Sequence, residues 1–174
     1  MNESEMQALA EIGRTPRLCQ DALAELMEEL FKGKTYPGPA GLRPVSIFEQ
    51  ELPFPADNDA DADTEDAPSP FIIVRAEEGD IRGDDNPQRM EFSIIMCAYD
   101  DSRFRRGWQD VVNMREKIIQ RFCAKPYFGG AFTVLKPITW AMQQDDTHPY
   151  YYGAITVTCT APALTQDSEL TELL

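Results

Sequence analysis

Apolar residues recur at helical spacing in two segments of the chain. Residues 16–33 carry leucine, alanine and methionine at intervals of three or four, with acidic residues between them. Thr15 is the expected N-cap of this helix and is followed by proline at the first helical position, while Gly33 is the expected stop. A second helix is predicted over about residues 106–124, ahead of Pro126. Each helix has one face suited to packing on a core.

Strand patterns occur in five places, at 43–50, 71–74, 90–98, 131–142 and 152–161. The run at 71–74 is continuously apolar, which predicts a strand buried on both faces, and the strand at 131–142 is predicted to break at Pro137. Neighbouring strands often follow one another without a helix between them, which favours an antiparallel or mixed sheet. We therefore predict an α+β fold with a mixed, largely antiparallel sheet of four to five strands and two main helices packed on it.

Charge is spread unevenly along the chain. Thirty acidic residues against sixteen basic ones give a net charge of −14, which argues against generic nucleic-acid binding. Residues 51–68 hold seven acids and residues 165–174 hold three, with no base in either segment. The predicted organisation is an N-terminal arm or short helix at 1–14, a single α+β domain at 15–162 with a flexible acidic loop at 51–69, and an acidic C-terminal tail at 163–174.

The apolar runs, the first residues and the cysteine spacing predict where the protein is located and whether its cysteines are oxidised. No apolar run approaches the roughly eighteen residues of a bilayer span, and the first residues, which include Glu3 and Glu5, lack the order of a signal peptide. We expect a cytosolic protein without a membrane partner. The four cysteines are widely spaced, with no CxxC pair, so free thiols are predicted.

The motifs for metal or cofactor chemistry are incomplete. Alternate Asp residues at 57–63 suggest a calcium loop, but Ala62 stands where that loop needs Gly, and Pro68 stands where it needs Glu. His148 is the only histidine, which excludes multi-His metal sites and favours a turn residue. The sequence also lacks a Gly-rich phosphate loop with its Lys-Ser/Thr. We therefore expect no catalytic residue, bound metal or cofactor.

One set of carboxylates leaves an alternative of a different class open. Asp100, Asp101 and Asp110 fall near the start of the second helix, and a cation-dependent hydrolase needs carboxylates that converge on an ion. Asp100 and Asp101 also suit the positive N-terminal end of that helix. We favour this second interpretation.

A basic segment stands out in the acidic chain. Residues 103–125 hold seven bases and two acids, a local charge of +5. They form either a solvated helix face or a surface that meets an acidic segment of a neighbouring copy. The aromatic residues Trp140 and Tyr150 to Tyr152 fit either core packing or an assembly interface. The candidate interface residues are Arg103, Arg105, Arg106, Arg115, Lys117, Arg121, Trp140, Tyr150 and Tyr151.

Five short segments follow one another in a characteristic order. They are FIIVR at 71–75, YDD at 99–101 after a long strand, GWQDV at 107–111, ITW at 138–140 and PYYYG at 149–153. In this order, over about residues 15–162, the chain resembles the small tail-terminator or tail-completion proteins of long-tailed phages and prophages.

The resemblance implies an α+β fold and subunits that assemble as a ring, usually a homohexamer, on the last ring of the tail tube. Such a ring stops tube growth and presents a surface to the head connector, without enzyme activity. Its partners are the tail-tube protein and a head connector or neck protein, and DNA passes only as cargo, which suits an acidic lumen. The implied location is the virion tail, after synthesis in the host bacterial cytoplasm. A head-closure or neck protein of the same virion is the close alternative.

Overall fold

The computed structural model describes residues 15–53 and 69–163, and within them the chain forms two helices and eight strands. The helices are α1 (Pro16–Phe31) and α2 (Gly107–Ala124). The strands are β1 (Thr35–Gly38), β2 (Gly41–Pro44), β3 (Ser46–Glu49), β4 (Phe71–Asp80), β5 (Gln88–Tyr99), β6 (Tyr127–Phe128), β7 (Phe132–Met142) and β8 (Tyr150–Ala161). The predicted arm at 1–14, most of the acidic loop and nearly all of the acidic tail lie outside the described residues.

Six of these strands form one sheet in the order β3-β4-β5-β8-β7-β6. β3 and β4 are parallel and the other neighbours are antiparallel, while β1 and β2 form a separate hairpin. The predicted α+β class with a mixed, largely antiparallel sheet is confirmed. The predicted number of four to five strands is wrong, because the sheet also includes the two-residue strand β6 next to a glycine turn.

The strand predicted at 43–50 is two strands in the structure. β2 ends at Pro44 and β3 begins at Ser46, and the two belong to different sheets. Proline lacks the N–H that a continuing ladder needs, so the chain leaves the hairpin there and joins the edge of β4. One alternating pattern therefore covers two elements.

Three other strand predictions need correction. β7 is continuous through Pro137, although its register against β8 shifts between Leu135 and Thr139, so the proline is accommodated at an irregularity rather than ending the strand. β4 extends beyond the predicted 71–74 to Asp80, because its charged second half pairs with β5 across a long hairpin. The start of β8 also lies two residues earlier than predicted, at Tyr150.

Both helices pack on one face of the sheet and enclose the main core. Along β5, alternate side chains from Met90 to Met96 face this core and are at most 3% exposed. The opposite face carries a smaller cluster, formed by Phe71, Ile73 and Cys97 with partly buried neighbours that include Tyr152. The sheet is therefore apolar on both faces where β4, β5 and β8 run side by side.

The start of α1 agrees with the prediction. The hydroxyl of Thr15 accepts a hydrogen bond from the Leu18 backbone N–H at 3.3 Å, as expected of an N-cap. The helix ends at Phe31, and Gly33 follows with a φ of +74°. Such a backbone conformation favours glycine and diverts the chain into the β1–β2 hairpin.

A pair of glutamine side chains joins α1 to the sheet edge. The buried Gln20 donates from Nε2 to the Val74 carbonyl oxygen at 2.9 Å and to Gln50 Oε1 at 3.0 Å. Gln50 Oε1 also accepts from the Ala76 N–H at 3.1 Å, and Gln50 Nε2 donates to the Ala76 carbonyl at 3.2 Å. The Gln50 side chain thus continues the β3–β4 ladder one step beyond β3. Neither described helix is long and apolar enough to span a membrane.

Candidate interaction surface

The loop that leads into α2, residues 100–106, is held by Asp100. One carboxylate oxygen accepts from the Ser102 N–H at 2.9 Å, and the other accepts from the Arg106 N–H at 2.6 Å. Desolvation alone would raise the pKa of Asp100, but its bonds from Ser102, Arg106 and Gly107 outweigh it and lower that pKa below its usual value. Asp100 therefore fixes the shape of the α2-leading loop as a charged acceptor.

The first turn of α2 sits directly on β8. A side-chain carbon at Gly107 would lie well within contact distance of the Tyr151 ring, and one at Gly153 would lie 2.7 Å from Val111 Cγ1. Both glycines therefore allow the helix to approach the strand closely. Since Tyr151 pairs with Ala98 near the end of β5, the α2-leading loop projects from that end of the sheet.

Three large aromatic side chains are exposed in this region. Phe104 is 60% exposed, Trp108 is 49% exposed and Trp140 is 53% exposed. The guanidinium carbons of Arg103 and Arg106 lie 4.9 and 5.2 Å from the centre of the Phe104 ring. These distances are those of cation–π contacts, so the arginines flank an aromatic ring that faces solvent.

A shallow groove of about 250 Å³ lies beside Trp108 and is lined also by Arg105, Asp146 and Tyr151. Arg105 forms an exposed ion pair with Asp146, and His148 Nδ1 lies 3.1 Å from the Tyr151 hydroxyl. His148 is exposed, next to the turn before β8, as the sequence predicts. The groove thus combines aromatic walls with charges of both signs.

The nine predicted interface residues do not form one continuous face. Arg103, Arg105 and Arg106 share the α2-leading loop, and Arg115 covers Trp140. Lys117 lies two positions after Arg115, about 200° around the helix.

The other predicted residues make local contacts. Arg121 donates to the carbonyl oxygens of Lys125 and Tyr127 and so holds the end of α2. Tyr150 packs edge-on against Tyr99, with ring centres 5.4 Å apart, whereas Tyr151 supports Gly107 on the helix side. Of the nine residues, Arg103, Arg106 and Arg115 stack on exposed aromatic rings, and Trp140 is one of those rings. We therefore define the arginine-aromatic surface by Arg103, Phe104, Arg106, Trp108, Arg115 and Trp140.

Sequence reasoning did not select Phe104 or Trp108. Their signal is present in the segment RFRRGW at 103–108, where aromatic residues stand next to arginines just before a helix. The helical spacing of apolar residues predicts that Trp108 belongs to the buried stripe of α2, but this prediction is wrong, because Trp108 lies on the exposed side of the first turn.

The hydrolase alternative needs Asp100, Asp101 and Asp110 to converge on one ion, and the fold brings them together only in part. Asp110 is half-buried, and desolvation together with the charge of Asp100 raises its pKa. Within 15–53 and 69–163, no group of three or more His, Cys, Asp or Glu side chains lies close enough to hold a metal ion. Asp100 already uses both oxygens to hold the loop.

The sequence matches no protein-family model, and a search of curated proteins finds no significant match.

Proposed function

We propose that this chain is a structural phage or prophage protein that caps the tail tube, ends tail polymerisation and forms the tail-side surface for head joining. The proposal begins with the ordered segments of the resemblance, which are far apart in sequence. In space four of them meet at one end of the sheet, whereas ITW lies further along β7, where Trp140 pairs with Ile155. Tyr99 pairs with Tyr150, Phe71 pairs with Cys97, which pairs with Tyr152, and Gly107 rests on Tyr151.

The observation that carries the proposal is the arginine-aromatic surface, which extends from that end along α2 to Trp140. Three large rings stay about half exposed or more on a chain whose net charge is −14, and arginines stack on two of them. Large exposed apolar groups mark interaction sites, and Trp and Arg are the residues that contribute most at protein interfaces. A protein that acts by assembly needs such a surface.

In this proposal the surface serves contacts among copies of the chain in a ring, usually a hexamer, and with the tail-tube and head-connector proteins. A ring needs a heterologous contact, in which two different surfaces of the subunit meet. The net negative charge of the chain keeps the assembled ring from binding the DNA that passes through it, because both are negatively charged. No cofactor takes part.

The test is electron microscopy of particles from the source strain with and without this gene. The proposal expects overlong or irregular tails and unjoined heads without the gene. Normal joined particles would contradict it, provided that the intact strain yields them. Normal-length tails beside unjoined heads would instead support a head-closure or neck role.

Complementation of the deletion then tests the surface. A gene carrying Phe104→Ser with Arg106→Ser should fail to restore joined particles. The matched control is Lys32→Ser with Lys34→Ser, which changes two exposed residues just after α1. If the loop variant fully restores joined particles, the arginine-aromatic surface is not needed for assembly, and that part of the proposal is contradicted.

A further inference from the structure

An apolar groove lies on the helix-covered face of the β4–β5 hairpin, beyond the start of α1. Its volume is about 500 Å³, and its lining includes Pro16, Ala76, Ile81, Met90 and Phe92. Met90 and Phe92 belong to the main core and form a buried floor, whereas Pro16 is exposed and Ile81 is 58% exposed. We call this feature the hairpin groove. Its rim is open apolar surface of the kind that marks a contact site.

The hairpin groove begins where α1 begins. Gln20 donates to the Val74 carbonyl oxygen at 2.9 Å, and Pro16, about one turn earlier in the helix, shares the groove lining with Ala76. The helix therefore runs against the direction of β4 and covers that strand up to Ala76, while the hairpin continues to Ile81. The chain that enters α1 arrives at this groove.

Residues 1–14 precede α1 and lie outside the described residues, but their sequence carries the signals of a short helix. Ser4 and Gln7 have the spacing of a capping box, in which the serine is the N-cap and the glutamine is the third helical residue. Gly13 follows as a helix stop. These signals predict a helix over residues 5–12.

The predicted helix has one apolar face. Met6, Leu9 and Ile12 are three positions apart, so they fall within an arc of about 120° at roughly 100° per residue. Gln7 and Glu11 fall on the opposite side. A helix this short needs its apolar face packed on another apolar surface to be stable.

The dimensions of this helix match the hairpin groove. Residues 5–12 would extend about 12 Å as a helix, and the hairpin extends about 17 Å from Ala76 to Ile81. The distance between Ile12 and Pro16 is limited to about 14 Å, because only residues 13–15 separate them. The groove of the same copy is therefore within reach of the whole helix, and so short a connection gives a high effective concentration there.

We propose that residues 5–12 form a helix that docks in the hairpin groove of the same copy, with Ile12 near Pro16 and Met6 near Ile81. The helix then covers the open apolar rim of the groove and extends the helical layer over the hairpin. This inference does not depend on the proposed function.

Charge does not hold this contact together. Residues 1–14 carry three acids and one base, and residues 76–92 carry six acids and two bases. Two acidic partners attract each other only through their apolar surfaces, while Gln7 and Glu11 face solvent. The contact should therefore persist when salt screens the charges.

Disulfide trapping in the full chain tests the contact. The background is Cys123→Ser, which removes the exposed cysteine. In this background, Ile81→Cys is combined with Met6→Cys or with Leu9→Cys. Because a disulfide needs the two Cβ atoms about 4 Å apart, we expect at least one of these pairs to form an intramolecular disulfide under mild oxidation. Non-reducing gel electrophoresis and mass measurement detect this disulfide.

The matched controls combine Ile81→Cys with Gln7→Cys or with Glu11→Cys, on the opposite side of the predicted helix. Both should react about tenfold or more slowly than the faster test pair, because their Cβ atoms point away from the groove. Equal rates at all four positions, including no reaction at any of them, would overturn the inference. A disulfide that joins two copies would place the segment in a neighbour's groove and would overturn it as well.

Thermal unfolding tests the same contact without added cysteines. Leu9→Gln with Ile12→Gln should lower the melting temperature by about 4 °C or more, because it removes apolar surface from the contact. The control, Gln7→Ala with Glu11→Ala, keeps the helix propensity and should change the melting temperature by less than about 2 °C. Equal shifts for the two variants would overturn the inference.

Ile81→Asn tests the groove side of the contact. It should lower the melting temperature of the original chain by about 2 °C or more, although a substitution at a surface residue without a partner has little effect. In the Leu9→Gln with Ile12→Gln variant it should have no further effect, since the contact is already lost. Additive effects, or no effect in the original chain, would overturn the inference. Circular dichroism below the transition checks that each variant is folded.

Discussion

The guanidinium carbon of Arg115 lies 3.8 Å from the centre of the Trp140 ring, a cation–π contact that joins α2 to the outer part of β7. The Arg115 side chain is only 12% exposed, and its Nε is buried without a hydrogen-bond partner among the described residues. Trp140 nevertheless remains 53% exposed. The arginine therefore holds the ring from one side and leaves much of its surface open for another contact.

A double-mutant cycle measures this contact. Arg115→Met keeps the apolar stem and removes the charge, while Trp140→Leu removes the ring. We expect a coupling energy of about 1 kcal/mol in the free energy of unfolding, because the contact is partly desolvated. Chemical denaturation of the four proteins gives the value.

Lys117 provides the control for this cycle. Lys117→Met removes a cation on another side of α2, so its coupling to Trp140→Leu should be near zero. Equal coupling for both pairs would contradict a specific contact between Arg115 and Trp140.

The carboxylate of Asp100 stabilises the start of α2 only while it is charged. Asp100→Asn should lower the free energy of unfolding at neutral pH by about 1 kcal/mol, as loss of a helix-capping acceptor does. Because folding lowers the pKa of Asp100, its contribution is complete above the unfolded value of 3.8 and disappears as the pH falls through the folded value. Denaturation curves between neutral and strongly acidic pH should converge for the two proteins, and a constant difference would contradict the charge-dependent role.

Asp110 should behave in the opposite way. Burial and the nearby charge of Asp100 raise its pKa, so its charged form destabilises the fold at neutral pH. Asp110→Asn should therefore raise the melting temperature at neutral pH, and the gain should vanish when the pH falls below the ordinary value of 3.8. A loss of stability at neutral pH would show that the Asp110 carboxylate makes a favourable contact instead.

Local signals were the part of the fold that could be predicted. Thr15 and the following proline predict the start of α1 because a helix cap depends on adjacent residues. The second half of β4 escaped prediction because Glu77, Glu78 and Gly79 are poor strand residues, and their conformation depends on pairing with β5. The alternating pattern at 43–50 predicts one strand, but the structure has two strands there. They are separate because β2 pairs in the two-stranded sheet and β3 pairs in the six-stranded sheet.

The candidate surface was predicted only in part for a related reason. The sequence shows that arginines are concentrated at 103–125, but not which of them face solvent together. That depends on the close approach of Gly107 to Tyr151, a contact between residues 44 positions apart. Arg121 belongs to the charge pattern, yet its side chain is engaged by backbone carbonyls.

Gly107→Ala tests that close approach. A methyl group at this position would overlap the Tyr151 ring, so either the ring or the first turn of α2 must move. We expect a loss of about 1–3 kcal/mol in the free energy of unfolding, typical of overpacking. Gly83→Ala is the control, since its added carbon would only reach ordinary contact with Asn86. Equal stability of the two variants would contradict tight packing at Gly107.

The four cysteines should differ sharply in reactivity. All are free thiols, and only Cys123 is exposed. The hydrogen bond with Cys159 and burial raise the pKa of Cys19, and burial raises the pKa of Cys97 to about 11. Because the thiolate is the reactive form, a disulfide reagent at neutral pH should modify one thiol in the folded protein and four after unfolding.

Cys123→Ser identifies the thiol that reacts. It should abolish the reaction of the folded protein and leave three reactive thiols after unfolding, as counted by absorbance of the released reagent. Rapid modification of two or more thiols in the folded chain would mean that the core around Cys19 or Cys97 opens readily. If one thiol reacts, a fluorophore on Cys123 labels the exposed side of α2 near its C-terminal end, at the opposite end of the helix from the α2-leading loop. Such a label would report association between copies without blocking the α2-leading loop.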